Sequence, residues 1–404
     1  MRQEREPIRV LIIPHQPNRN VKTRSQELAR FLAAQDEYQV YVLSWRLRQK
    51  NHPNPLFQLG YKIQENLESS LIQPKWQLEE GIRWVRLPHI LAPYPVSPDF
   101  NQEQLRKFVL KNDIQVIISG NTFHFPMPRQ RKLLKIYDLV DDYITPGSNP
   151  EWKRTRAFVL NELKKADHIM TVSHGLQEKL ACLGYTDSMR IPNGVALSAY
   201  GSVAPDTTAI RNRFGLQNAF VVSYIGNHSG YHGWWADMEF LLTAFERLHV
   251  QVPHSRLLVV GPGESLQSYQ QGPPIPGVIF TGAVLPDEIA AYYHVSDIGV
   301  LPFTPCAFTD NALPLKIPEY GAARKPVLAP PLEELCTLQL PHVRLVDFDA
   351  MLWGNTLIQE AQNPTPWDPN WDRTIAEYDW PRLWQPLDTL LKKRFGVTEP
   401  VALR

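Results

Sequence analysis

Short apolar runs separated by polar, helix-patterned stretches set the rhythm of this chain. Residues 9–13 (RVLII), 40–43, 116–119 and 135–139 form one series. Residues 220–225, 257–260, 278–280, 298–301 and 327–328 form a second. Continuous rather than alternating apolar runs predict strands covered on both faces, as in parallel sheets. After the first run, Thr23-Arg24-Ser25-Gln26 has the form of a capping box, and Leu28, Phe31 and Leu32 supply the stripe of the helix behind it. Strand and helix patterns alternate through both series, which predicts doubly wound α/β sheets. Residues 199–208 (AYGSVAPDTT) are small and turn-forming and read as a linker. Residues 49–77 are polar with scattered aromatics and fit no element, while 380–395 read as helical after Pro386.

Composition narrows the class. A length of 404 residues favours roughly two or three domains. The apolar fraction of 43% and charged fraction of 21% are those of a globular protein rather than a disordered one. A net charge of +1 gives no field for a nucleic-acid partner. Cys182, Cys306 and Cys336 are odd in number and far apart, which argues against a disulfide framework or a zinc site and suits a reducing compartment. The opening MRQEREPIRVLII is apolar for too few residues to be a signal segment, and no run approaches the ~20 residues of a spanning helix. The expectation is a cytoplasmic protein. Basic clusters at 46–50 (RLRQK) and 129–132 (RQRK) leave two readings open: contact with anionic head groups at the inner membrane face, or a solvated surface.

The richest stretch is 297–330. It reads as a buried strand, a Pro-rich loop, a helix opened by that loop, and a second buried strand. A loop that feeds a helix after a parallel strand is where α/β proteins bind phosphorylated ligands. Glu319 sits there, either as an acceptor for a hydroxyl pair or as a first-turn acid that complements the helix dipole. Trp234 and Trp235 read as helix core or as a stacking face for a sugar. Asp141 and Asp142 are adjacent carboxylates with no further ligands beside them, so no metal site is assigned.

The stretch 297–330 resembles the donor motif of GT-B glycosyltransferases, above all the large retaining family 4. That pattern is Glu, seven residues, Glu, then a helix ending in Ala-Gly-x-Pro-Val-Val. Glu319 matches the second Glu, Asn311 occupies the place of the first, and Ala323-Arg324-Lys325-Pro326-Val327 matches the helix end with Arg324 where Gly is usual. Four more segments follow in the family's order: 166–176 (ADHIMTVSHGL), 190–195 (RIPNGV), 257–263 (LLVVGPG) and 278–289 (VIFTGAVLPDEI). Ser173 in the first of them is a favourable N-cap. The resemblance implies two Rossmann-like βαβ domains facing a central cleft. Residues 1–200 would form the acceptor-side domain, 201–385 the donor domain, and 386–404 a helix crossing back to the first.

It also implies a function: transfer of a sugar from a nucleotide-diphosphate sugar to a glycan or lipid-linked acceptor, with retention and with no cofactor besides the donor substrate. Within the same fold, a nucleotide-sugar 2-epimerase and a non-catalytic sugar-nucleotide-binding protein remain as alternatives. The implied catalytic residues are His124, Asn311 and Lys316. Donor contacts fall to Glu319, Gly226, Asn227, His232, Gly282 and Leu315, and acceptor-side contacts to His15, Asn18, Arg19 and Asp142. The family holds the diphosphate with an Arg and a Lys spaced GRxxxxKG; here Gly226 and Gly233 keep the frame, but Asn227 and His232 replace the two cations. Lys316 is the implied substitute. The family's Gly-Gly loop after the first strand is here Pro14-His15-Gln16-Pro17-Asn18-Arg19-Asn20, so side chains would replace backbone approach.

Overall fold

A computed structural model describes residues 6–16, 23–45, 68–90, 97–201, 205–226, 228 and 235–397. The chain separates into two compact units. The first comprises Met1–Val172, Gln177–Ile191 and Trp384–Arg404; the second comprises Ser173–Leu176 and Pro192–Leu383.

The first unit holds an eight-stranded sheet. Its strands are β1 (Ile8–Ile13), β2 (Tyr38–Leu43), β3 (Lys75–Glu79), β4 (Ile82–Arg86), β5 (Val116–Ser119), β6 (Leu134–Leu139), β7 (His168–Thr171) and β8 (Ser188–Arg190), in the order β3-β4-β2-β1-β5-β6-β7-β8. All neighbours are parallel except β3 and β4. The apolar runs named above are the inner strands, with Val10, Leu11, Val40, Val42, Val116 and Ile117 fully buried. The hairpin β3–β4 escaped the apolar pattern because every residue of β3 is exposed. Its turn, Glu80-Gly81, places both residues at positive φ (50° and 75°), the twist that suits a two-residue hairpin.

Two details of the sequence pattern reappear as side-chain contacts. Thr23 caps the helix Arg24–Ala33 by accepting from the Gln26 amide, and the Ser173 hydroxyl accepts from the Leu176 amide at 3.3 Å. The helix Gln385–Phe395 is fastened to the first unit: the Tyr38 hydroxyl donates to Asp388 at 2.7 Å and Lys392 to Gln35 at 2.9 Å. Beneath it, Arg24 pairs with Asp138 at 2.9 Å and lies 4.7 Å from the ring of Trp384.

The second unit holds a six-stranded, wholly parallel sheet. Its strands are β9 (Phe220–Ile225), β10 (Ser255–Val260), β11 (Val278–Gly282), β12 (Ile298–Val300), β13 (Val327–Ala329) and β14 (Val343–Leu345), in the order β11-β10-β9-β12-β13-β14. Helices Met238–Gln251 and Ala350–Gln362 pack on each other, with Leu241, Phe245, Trp353 and Leu357 fully buried. Asp349 caps the second helix, its carboxylate accepting from the amides of Met351 (2.8 Å) and Leu352 (2.9 Å). Asp349→Ala removes both bonds and is expected to cost about 1 kcal/mol, read as a lower urea midpoint at unchanged slope.

Each sheet reverses its strand order at one place. In the first unit the chain runs outward from β1 through β2 on one side and from β5 through β8 on the other. In the second it runs from β9 through β11 on one side and from β12 through β14 on the other. At such reversals the connecting loops part beyond the strand ends and leave a crevice for a ligand.

Candidate functional site

The reversal in the second unit lies between β9 and β12. Beyond β9 comes Gly226, whose amide donates to the Val260 carbonyl at 2.9 Å; the His228 amide donates to Pro262 at 2.8 Å. Beyond β10 comes Gly261, at φ +123°, whose amide donates to Gly282 at 3.0 Å. A Cβ on Gly261 would overlap the Gly226 carbonyl, so the loops beyond β9, β10 and β11 are stacked backbone on backbone. Of the predicted donor residues, Gly226 and Gly282 therefore lie in one platform.

Lys316 reaches this platform from beyond β12. Its Nζ lies 5.1 Å from the ring centroids of Tyr224 and of Phe303, and 3.1 Å from where a Cβ on Gly226 would stand. Burial lowers its pKa to about 8, with Glu319 acting in the opposite direction. Among the described residues the ammonium has no hydrogen bond and no salt bridge; its contacts are the two aromatic faces. His228 stands close by, its ring 4.9 Å from that of Tyr224. Burial first, and then Lys316, lower His228 to about 4, so its imidazole is neutral at pH 7.

Glu319 follows one turn later in the helix Lys316–Ala322, on the same side as Lys316. Its Oε2 accepts from the Tyr293 hydroxyl at 2.5 Å. Leu315 takes the N-cap position of that helix, and its carbonyl accepts from the Glu319 amide at 3.2 Å. Asn311 is buried in the loop before it. Its Nδ2 donates to the Ala307 carbonyl at 2.8 Å, and its Oδ1 lies against Gly175. The second unit thus brings Gly226, Gly282, Leu315, Lys316 and Glu319 to one end of its sheet. Asn227 and His232 lie outside the described residues, as does Trp234, while Trp235 stacks on Phe308 at 4.3 Å.

In the first unit the reversal lies between β1 and β5. His15 follows β1, and its Nε2 is 3.2 Å from the Tyr143 hydroxyl, which in turn is 3.3 Å from Asp141. Burial lowers His15 to about 4. Burial pushes Asp141 up to about 7, the Tyr143 hydrogen bond working against it and Asp142 with it. His124 follows β5 in a turn built by Asn121, whose Oδ1 accepts from the amides of Phe123, His124 and Phe125. Its ring lies 5.9 Å from that of Trp45, and burial, then His89, lower it to about 4. Asp142 faces inward: its carboxylate accepts from the Thr145 amide (3.0 Å) and hydroxyl (2.7 Å) and pairs with Lys179 at 2.5 Å. Asn18 and Arg19 lie outside the described residues, as does the 46–50 cluster, while Arg129, Arg131 and Lys132 are exposed.

His228, Tyr224 and Tyr293 were not singled out from sequence. His228 precedes the predicted His232 by four positions in sequence and carried no signal of its own. Among the described residues no group of three or more His, Cys, Asp or Glu is placed to hold a metal ion. No described helix is long and apolar enough to cross a membrane.

Known proteins share parts of this sequence and its fold. Residues 219–342, which carry β9 to the loop before β14, match the family model described as glycosyl transferases group 1. The putative teichuronic acid biosynthesis glycosyltransferase TuaH of Bacillus subtilis (strain 168) is 28% identical over 222 residues. That match covers 52% of this chain and 53% of TuaH, so the chain spans about half the length of this curated relative. Among solved structures, Anabaena HepE in complex with UDP superposes with a TM-score of 0.63 at 15% identity, over 96% of this chain and all of HepE. Sucrose-phosphate synthase from Thermosynechococcus elongatus superposes at 0.62 with 16% identity, over 97% of this chain and all of the synthase. The fold is GT-B, built of two Rossmann-like units.

Proposed function

We propose that the protein is a glycosyltransferase that takes a sugar from a nucleoside-diphosphate sugar and delivers it, with retention, to a hydroxyl of a glycan or lipid-linked acceptor. The observation that carries this reading is the ammonium of Lys316, which among the described residues has no hydrogen bond or salt bridge, beside Glu319 at the β9/β12 reversal. A half-buried charge without a counter-ion is unfavourable, and a bound anion relieves it. A diphosphate supplies that anion, and the ribose hydroxyls of the same nucleotide supply donors for the Glu319 carboxylate. The structures of HepE with UDP and with UDP-glucose support a nucleotide of this class.

In the proposed reaction the bond between the anomeric carbon and the diphosphate oxygen breaks, and its electron pair leaves with the diphosphate. Lys316 stabilises the charge that develops there. The acceptor oxygen bonds to the anomeric carbon on the face that the leaving group vacates, and its proton passes to a departing phosphate oxygen. His15 is assigned to the acceptor side and His124 to positioning of the sugar. As neutral imidazoles they both donate to and accept from hydroxyls.

Titration calorimetry with UDP, ADP, GDP and CDP tests the donor half. At least one is expected to bind, and Glu319→Ala is expected to weaken that binding by about 1.5–3 kcal/mol, the scale of a charged hydrogen bond. An unchanged affinity in a folded variant would remove Glu319 from the site.

A further inference from the structure

Among the described residues, β3 (Lys75–Glu79) ends the sheet of the first unit. β4 pairs with one side of it, and no described strand pairs with the other. An open strand edge is a template for another strand, and proteins usually keep such edges short, charged or twisted away. This one is short, but its exposed side chains are not all polar. Trp76 is 52% exposed and Leu78 is 56% exposed. They stand two residues apart and so share one face of the strand. On β4, Val85 lies opposite Trp76 and Arg83 opposite Leu78. The Arg83 guanidinium is 5.5 Å from the Trp76 ring, so the inner side of the apolar pair is flanked by a cation.

The strand reads Lys-Trp-Gln-Leu-Glu, and turned end to end about Gln77 it is complementary to itself. An antiparallel copy with Gln77 opposite Gln77 sets Lys75 opposite Glu79 of the second copy and Trp76 opposite Leu78, each pairing occurring twice. A one-residue slip sets Lys75 opposite Leu78 and Trp76 opposite Gln77. Parallel pairing in register sets Lys75 opposite Lys75 and Glu79 opposite Glu79. Only the first arrangement matches both charge and polarity.

We propose that the open edge of β3 pairs antiparallel with β3 of a second copy of this chain, about a two-fold axis at Gln77 perpendicular to the sheet, and so forms a homodimer. Residues directly opposite in a ladder point to the same face, so Trp76 and Leu78 of both copies gather on one side of the joined sheet. Aromatic–aliphatic and opposite-charge pairs at such positions are favourable, and like charges there are unfavourable. The arrangement is isologous and closes at two copies, because each unit spends its β3 edge and its other edge is a different strand, β8. A ladder of five residues is small for an interface, so the dimer is a weak one that forms with rising concentration. None of these residues belongs to the donor or acceptor site, and the inference stands apart from the proposed reaction.

Sedimentation velocity over a concentration series tests it. The wild-type protein is expected to pass from monomer to dimer. Lys75→Glu sets two acids opposite each other at both ends of the ladder and is expected to weaken the dimer by about tenfold. Adding Glu79→Lys reverses both signs together and should restore it. Thermal melts check that these exposed substitutions leave the fold intact. In a background with the exposed cysteines removed by Cys182→Ser, Cys306→Ser and Cys336→Ser, Gln77→Cys should cross-link to a dimer with a short bis-maleimide, because position 77 faces itself across the axis. Lys75→Cys should not, since it faces position 79. A wild-type protein that stays monomeric through the series would overturn the proposal. A dimer that Lys75→Glu leaves unchanged would place the contact elsewhere and overturn it too. A dimer that the paired charge reversal fails to restore, or that Gln77→Cys fails to cross-link, would exclude this register and the proposal with it.

Discussion

Lys316→Ala is expected to lower kcat/KM by about 10²-fold or more, the loss that follows removal of one electrostatic stabiliser. The surroundings of the ammonium in the wild-type protein set this expectation. Among the described residues it has two aromatic faces and no anion. Its attraction for a diphosphate is therefore not spent on an internal partner. The pH dependence follows from the same surroundings. Burial lowers the lysine to about 8, so the free site carries the positive charge below that pH and loses it above. A bound diphosphate favours the charged form and raises the pKa again. Nucleotide affinity should then be full below pH 8 and fall as pH rises through it, and the Lys316→Ala variant should show no such fall. His228 adds no cation, since it is neutral from about pH 4 upward. Near-normal activity of Lys316→Ala would mean that the charge comes from elsewhere. Arg324 is a poor replacement because its guanidinium is paired with Asp372 at 2.7 Å.

Gly261→Ala is expected to destabilise the second unit by about 3 kcal/mol or more and to abolish nucleotide binding. Two costs combine at this position. A φ of +123° is one that side chains other than glycine rarely adopt, and the added Cβ would overlap the Gly226 carbonyl. Relief requires moving the loop beyond β9 away from that beyond β10. That movement breaks the Gly226–Val260 and Gly261–Gly282 hydrogen bonds, and it shifts the backbone against which Lys316 rests. Thermal melts and calorimetry on the same preparation check both effects. Gly215→Ala is the control: that glycine also has positive φ (61°), but nothing crowds its Cβ, so it should cost less and leave binding intact.

Much of the architecture was legible because parallel strands are buried on both faces and must be apolar throughout. The runs at 9–13, 40–43, 220–225 and 257–260 could hardly be anything else, and β1, β2, β9 and β10 lie on them. Strand β3 was not legible. It is an edge strand with no buried residue, so its sequence answers to its hairpin partner and turn rather than to a core. The departure at Arg324, where the resembling family has Gly, became intelligible only with the backbone in view: the residue has φ +57°, a conformation that glycine adopts without cost and arginine holds here against strain.

The site divides in the same way. Local order along the chain determined that Lys316 and Glu319 share one helical face three residues apart, and that a glycine ends each of β9, β10 and β11. Those are properties of spacing, and spacing is written in sequence. The rest depends on residues distant along the chain. Tyr293 meets Glu319 because two helices pack side by side, and His228 meets Tyr224 because a loop folds back over its own strand. Asp142, which the resemblance assigns to acceptor contacts, faces Lys179, distant from it along the chain, and Thr145. Lys316 became the focus of the site through what tertiary packing withheld from it. Among the described residues two aromatic rings flank the ammonium and no carboxylate bonds to it, a condition that no stretch of sequence can state, because it is a property of everything the fold brings near.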